Sequence, residues 1–204
     1  MCGVVGFSCK HPGQHHVAAI QRLFTQSKIR GLHAFGISYY EENQIKTSKH
    51  HKLVDCCSAI PLTNKLIGHC RYSTSGDYAD HQNNQPIHLD NAAVVFNGVI
   101  SMAAKCEYEK MYRRKYQTEN DGEIFLDKFV RDEAWANFVT YGKFSFAGLV
   151  LWDDQLIAIR NAHRPLYRLV EMEAVFYAST ADIFRRAGFD NEPCSVEPGQ
   201  VYVD

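Results

Sequence analysis

Met1-Cys2-Gly3-Val4-Val5-Gly6-Phe7 opens the chain, and its reading decides the fold. Val4 to Phe7 is short, rich in β-formers and bounded by glycine, which predicts a buried strand. Cys2 stands at the start of that strand. Once an initiator methionine is removed, Cys2 carries a thiol and a free α-amine, so one residue supplies both nucleophile and base. A second-position cysteine taken alone is more often a small core residue. Its standing depends on what the other residues build around it.

Outward from this strand, Val17, Ile20, Leu23 and Phe24 recur at helical spacing over 15–29, with Gly31 where a cap would fall. Strands are expected at 35–40 and 44–48 about a Glu42-Asn43 turn, at 65–72 and at 92–96. A hairpin is expected from 144–152 and 156–160 about Asp153-Asp154. Further strands are expected at 174–178 and 200–203. Helices are expected in part of 102–116, over 122–131, around 135–139 and over 181–187. No internal repeat, low-complexity tract or linker interrupts the pattern. Strands first and last with helices between predict an α+β fold, one domain over 1–204.

The 204 residues suffice for a core without disulfides or structural metal. Hydrophobic content is 46% and charged content 22%, both ordinary for a globular chain. A net charge of −1 excludes the basic surplus of a nucleic-acid binder. No apolar run approaches a membrane span, and the start lacks the pattern of a signal peptide. Seven cysteines without regular spacing favour a reducing, cytoplasmic setting. His15-His16, His50-His51 and Cys56-Cys57 are adjacent pairs rather than zinc-ligand spacings, so neither metal nor cofactor is expected.

Four groups of residues could carry chemistry. Cys2 is the first. The second is Asn97-Gly98 at a strand end, usually a turn, but also able to aim a side-chain amide and a backbone N–H at one oxyanion. The third is Gly68-His69-Cys70-Arg71-Tyr72-Ser73-Thr74-Ser75-Gly76. Here a strand delivers Arg71 to a hydroxyl-rich loop that suits a carboxylate or a phosphate. The fourth is Asp121 at an expected helix start, either a helix cap or an acceptor for an ammonium. Together they describe an α-amino acid with a side-chain amide, held by Arg71 and Asp121 while Cys2 attacks its carbonyl. Glutamine and asparagine fit.

At these residues the sequence resembles the glutaminase domain of class II glutamine amidotransferases, within the N-terminal nucleophile (Ntn) hydrolases. The wording is similar in particular to the glutaminase half of amidophosphoribosyltransferase. The resemblance runs through Met1 to Gly6, Arg30-Gly31-Leu32-His33-Ala34-Phe35-Gly36-Ile37, Gly68 to Gly76 and Asn83-Asn84-Gln85-Pro86. It continues through Asn97-Gly98, Asp121-Gly122-Glu123 and Val196-Glu197-Pro198-Gly199. It implies a four-layer αββα sandwich of two antiparallel sheets, with Cys2 as nucleophile and Asn97 and Gly98 as the oxyanion hole. It also implies Arg71, Tyr72, Thr74, Ser75 and Asp121 around the glutamine, and Arg30 close to the nucleophile. Arg160-Asn161-Ala162-His163-Arg164-Pro165-Leu166 is shorter than the family's corresponding run and lacks its aspartate, so a different loop shape is expected.

The resemblance implies a glutaminase subunit that forms a γ-glutamyl thioester on Cys2 and releases glutamate and ammonia. No synthase domain is visible in the sequence, so the acceptor is expected on a separate synthase partner, and an oligomer is compatible with this reading. Two alternatives stand beside it. One is a stand-alone amidohydrolase acting on a γ-glutamyl or other amide. The other is a non-catalytic glutamine-sensing subunit.

Overall fold

The computed structural model of the chain describes residues 1–73 and 76–204. Among the described residues, twelve strands and six α-helices form. The first half comprises β1 (Gly3–Cys9), α1 (Gln14–Ser27), β2 (Ala34–Glu41), β3 (Gln44–His50), α2 (Leu53–Ser58), β4 (Lys65–Arg71), β5 (Ile87–Leu89) and β6 (Ala92–Val99). The second half comprises α3 (Lys105–Tyr112), α4 (Gly122–Arg131), α5 (Trp135–Tyr141), β7 (Ser145–Trp152), β8 (Gln155–Arg160), β9 (Tyr167–Glu171), β10 (Ala174–Ala178), α6 (Ala181–Arg186), β11 (Cys194–Ser195) and β12 (Tyr202–Val203).

The strands form two antiparallel sheets. One runs β11-β9-β10-β1-β4-β2-β3 and the other β12-β8-β7-β6-β5. β1 therefore lies in the middle of the larger sheet, between β10 and β4, and all seven of its residues are buried. Alternation along each strand sends its side chains to two different layers. Val5 and Phe7 of β1 pack outward with Ile20, Leu23 and Phe24 of α1 and with Ile183 and Phe184 of α6. Val4 faces inward, toward Val95, Ala147 and Leu149 of the smaller sheet. That sheet's other face carries Phe96 and Phe146 against Ile124, Phe125 and Phe129 of α4. The result is helices, sheet, sheet, helices: an α+β, four-layer αββα sandwich.

Several observed elements differ from the sequence expectations. α1 ends at Ser27, and Lys28–Arg30 continue as a turn of 3-10 helix. The expected strand over 65–72 stops at Arg71, whereas the helix expected in part of 102–116 forms over Lys105–Tyr112. α2, β5, β9 and β11 form where no regular element was expected. Among the described residues, no helix is long and apolar enough to cross a membrane.

Candidate active site

Cys2 immediately precedes β1. The register of β1 on β4 pairs Gly3 with Cys70 and Val4 with His69, so continuing it sets Cys2 opposite Arg71. Cys2 is two residues from inward-facing Val4 and therefore points into the same inter-sheet layer. Asn97 reaches that layer from the other sheet, because it pairs with inward-facing Ala147. Cys2 and the Asn97 amide thus come from facing strands at one end of the sandwich.

The Cys2 thiol is partly buried, and its Sγ–H donates to Tyr72 O at 3.6 Å. Burial pushes this thiol up. The Tyr72 backbone, the N-terminal ammonium and the guanidinium groups of Arg71 and Arg30 pull it down, but burial dominates. Burial thus favours the protonated thiol.

Arg30 ends the 3-10 turn. Its Nε donates to Cys2 O at 2.9 Å and its Nη2 approaches Met1 Sδ at 3.7 Å. Burial lowers its pKa, the neighbouring Cys2 works the other way, and the charge of Arg164 lowers it further. Gly31 lets Arg30 come this close: a Cβ there would lie 2.4 Å from both Arg71 C and Cys70 O.

Arg71 closes β4 and is buried at 3% exposure, which forces it to find partners inside the protein. Its Nη1 donates to Asn84 Oδ1 and its Nη2 to Gly76 O at 3.3 Å. Asn84 is held in turn by Tyr78 O at 2.8 Å. Cys2, Asp77 and Asp121 all lie within electrostatic reach of the Arg71 guanidinium. Asn84 is a site residue that no chemical reading of the sequence singles out. Its place within Asn83-Asn84-Gln85-Pro86 is the signal that could have found it.

Asp121 stands just before α4 but does not cap it, since no side-chain bond joins it to the first turn. The cap is Asn120, whose Oδ1 accepts from Gly122 N at 3.0 Å. Asp121 Oδ2 instead accepts from Ile100 N, and from Ser101 N at 3.0 Å. The carboxylate is thereby fixed to the chain just beyond Asn97-Gly98. Burial pushes its pKa up, against these backbone bonds and the Arg71 charge.

Asn97 is 2% exposed, and its Nδ2 is buried with no hydrogen-bond partner. Such a donor costs about 1–3 kcal/mol when left unmade, so natural folds rarely keep one without use. Gly98 follows in a tight approach of β6 to β7, where a Cβ would lie 2.0 Å from Ser145 O.

Of the remaining expected residues, Tyr72 contributes its carbonyl, while its half-exposed ring packs on His33. Thr74 and Ser75 lie outside the described residues. In the shortened loop, Asn161 accepts from Phe146 N at 3.1 Å and donates to Phe144 O at 2.6 Å, tying the loop to β7. Among the described residues, no group of three or more His, Cys, Asp or Glu is placed to hold a metal ion. A cleft of about 460 Å³ lined by Tyr40, Ile45, His88, Asp90 and Asp153 lies at the opposite, hairpin-turn end, remote from Cys2.

Two facing antiparallel sheets between helical layers, with a cysteine at the head of a central strand, define the Ntn hydrolase class of architecture. Residues 69–186 match the family model for a glutamine amidotransferase domain, and the chain belongs to that family. Among solved structures, it is similar to glutamine phosphoribosylpyrophosphate amidotransferase from B. subtilis complexed with ADP and GMP, at 20% identity and TM-score 0.79. The match covers 99% of this chain and 47% of that one. A structure described as the allosteric regulatory enzyme of purine biosynthesis matches at 21% identity and TM-score 0.78, covering 99% and 46%. A glutamine aminotransferase class-II domain protein from Silicibacter pomeroyi matches at 11% identity and TM-score 0.61, covering 99% and 94%. At these identities the likeness is one of fold. The chain spans about half the length of the first two. No curated protein sequence matches it.

Proposed function

We propose that residues 1–204 form one glutaminase domain that hydrolyses the side-chain amide of glutamine through Cys2. The observation that carries this is the buried, unpartnered Asn97 Nδ2, facing the same inter-sheet layer as Cys2. Arg71 stands within electrostatic reach of both Cys2 and Asp121. Arg71 takes the α-carboxylate of glutamine and Asp121 its α-ammonium, with Tyr72, Thr74 and Ser75 as further substrate-binding residues. Arg30 holds the Cys2 backbone.

The chemistry requires removal of Met1, which places a free amine on Cys2 with an intrinsic pKa of about 7.7–8.0. That amine takes the thiol proton as Sγ attacks the amide carbon. The oxyanion is received by Asn97 Nδ2–H and Gly98 N–H. Collapse breaks the C–N bond, and the amine returns its proton to the departing ammonia. Water then attacks the γ-glutamyl thioester, giving glutamate and restoring the thiol. Ammonium is a poor nucleophile at neutral pH, so ammonia is consumed at an acceptor site, which we assign to a synthase partner. Seven free thiols suit a cytoplasmic setting.

Cys2→Ala tests the reading. It is expected to abolish glutamate release from glutamine while leaving the melting temperature close to that of the parent chain. Undiminished release would remove Cys2 from the mechanism. Intact mass should also show that active protein begins at Cys2.

A further inference from the structure

His33 lies outside the machinery assigned above, yet it is bound to it from three directions. It precedes β2, and the pairing of Ala34 with Arg71 sets it opposite Tyr72. Its backbone N–H donates to Arg71 O at 3.0 Å. Its Nδ1 accepts from Ser73 N–H at 2.9 Å. Its ring is stacked between Tyr72, at 5.1 Å and 26°, and Tyr78, at 4.8 Å and 22°. Stacks of this kind contribute about 0.5–1.5 kcal/mol each beyond buried area.

The chain that His33 grips carries two acceptors of the candidate site. Tyr72 O receives the Cys2 S–H, and Gly76 O receives Arg71 Nη2. Ser73 links the two, because its hydroxyl donates to Gly76 O at 3.0 Å. Tyr78, the other slice of the stack, uses its carbonyl to hold Asn84, the partner of Arg71 Nη1. The ring of one residue thus reaches the groups that orient both the nucleophile and the carboxylate-binding cation.

We propose that His33 is a positioning residue: through Nδ1 and its stack it holds Tyr72, Ser73 and Tyr78 in the arrangement that orients Cys2 and Arg71. This rests on the glutaminase reading for its catalytic consequence, but not for its structural one. Nδ1 must be the unprotonated nitrogen, since Ser73 donates to it. A side chain with an acceptor at that point should replace it, and a ring without one should not.

The test compares His33→Phe with His33→Asn in the full chain. Phenylalanine keeps a ring between the tyrosines and leaves Ser73 N–H without its acceptor. Asparagine sets an amide oxygen close to the place of Nδ1. His33→Phe is expected to lose about tenfold or more in kcat/KM for glutamine, with KM raised and kcat lowered. His33→Asn should stay within about threefold of the parent. Parental kcat/KM in His33→Phe, or equal losses in both variants, would overturn the proposal. If His33→Phe does not fold, His33→Gln, whose oxygen lies one bond further out, replaces it with the same expected loss.

A second readout does not depend on turnover. Alkylation of Cys2 by iodoacetamide, followed by mass spectrometry of the N-terminal peptide, should change rate at least about threefold in His33→Phe and stay within about twofold in His33→Asn. Equal rates in all three proteins refute the positioning role. A parent chain that leaves glutamine intact refutes the glutaminase reading and leaves this measurement standing.

Discussion

His69 stands on β4 two residues before Arg71, pointing into the same inter-sheet layer, and is 1% exposed. The Phe96 backbone is near enough to favour its charged form slightly, yet neither ring nitrogen makes a hydrogen bond of normal geometry. Burial dominates, the Arg71 charge adds to it, and the pKa is held at about 3. An unfolded histidine titrates near 6.5. Between those values the unfolded chain takes up a proton that the folded chain refuses. Stability from this residue is therefore complete above about pH 6.5 and falls as the pH drops toward 3. At pH 5 the loss is about 2 kcal/mol. In urea unfolding, His69→Leu should shrink the stability difference between pH 7.5 and pH 5 by about that amount. An unchanged difference would mean that the folded protein protonates His69. Residues of this scale were unevenly legible. Cys2, Arg71, Asn97 and Asp121 carry side chains whose chemistry, read together, fits one amino-acid ligand, which is why the sequence lets them be proposed together. His33 and Asn84 act through contacts between loops, and nothing in their local spacing announces those contacts.

Elements were legible where local chemistry agreed with the fold. The hairpins about Glu42-Asn43 and Asp153-Asp154 take left-handed backbone at both central positions, with φ of 51° and 60°, then 49° and 53°. Asn and Asp tolerate that conformation, which is why those turns can be read. β9 was illegible because its hairpin with β10 turns at Met172-Glu173, also left-handed at φ 55° and 57°. Neither residue favours a turn. The conformation is imposed from outside: Cys9 Sγ–H donates to Glu173 O at 3.7 Å, and His16 Nε2–H donates to Met172 O at 2.8 Å. His16 has that proton to give because its Nδ1 accepts from Gly13 N at 2.9 Å. Left-handed backbone costs an L-residue about 1–2 kcal/mol, and glycine escapes most of it at a smaller entropic cost. Glu173→Gly should therefore stabilise the protein by about 0.5–1 kcal/mol, seen as a higher urea midpoint with unchanged slope. A lower midpoint would show that the Glu173 side chain does more than occupy the turn.

At the scale of the whole molecule, α+β character is visible in the order of strands and helices, but the pairing of the two sheets is not. It depends on inward side chains distant in sequence, such as Val4, Ile67, Val95 and Leu149, meeting in one layer. A polar clasp also joins the two sheets. Asp204 follows β12 and pairs its backbone with Leu156 at the start of β8, in the smaller sheet. Its carboxylate accepts from Arg168 of β9 and from the hydroxyl of fully buried Tyr177 of β10, both in the larger sheet. Burial and the Asp204 carboxylate together push the Tyr177 hydroxyl pKa up. Tyr177→Phe removes one donor and should cost about 1.5–3 kcal/mol, the range for bonds to charged groups. Asp204→Ala removes the acceptor and leaves that hydroxyl buried without its partner. In the Asp204→Ala background, Tyr177→Phe should then cost nothing or restore some stability, because the orphaned group disappears with it. Glutamine hydrolysis should be unaffected throughout, since the clasp lies toward the hairpin-turn end, away from Cys2. Urea unfolding of the four proteins gives the coupling directly. Additive losses would show that the hydroxyl and the carboxylate stabilise the fold independently, leaving Arg168 as the partner of Asp204 across the two sheets.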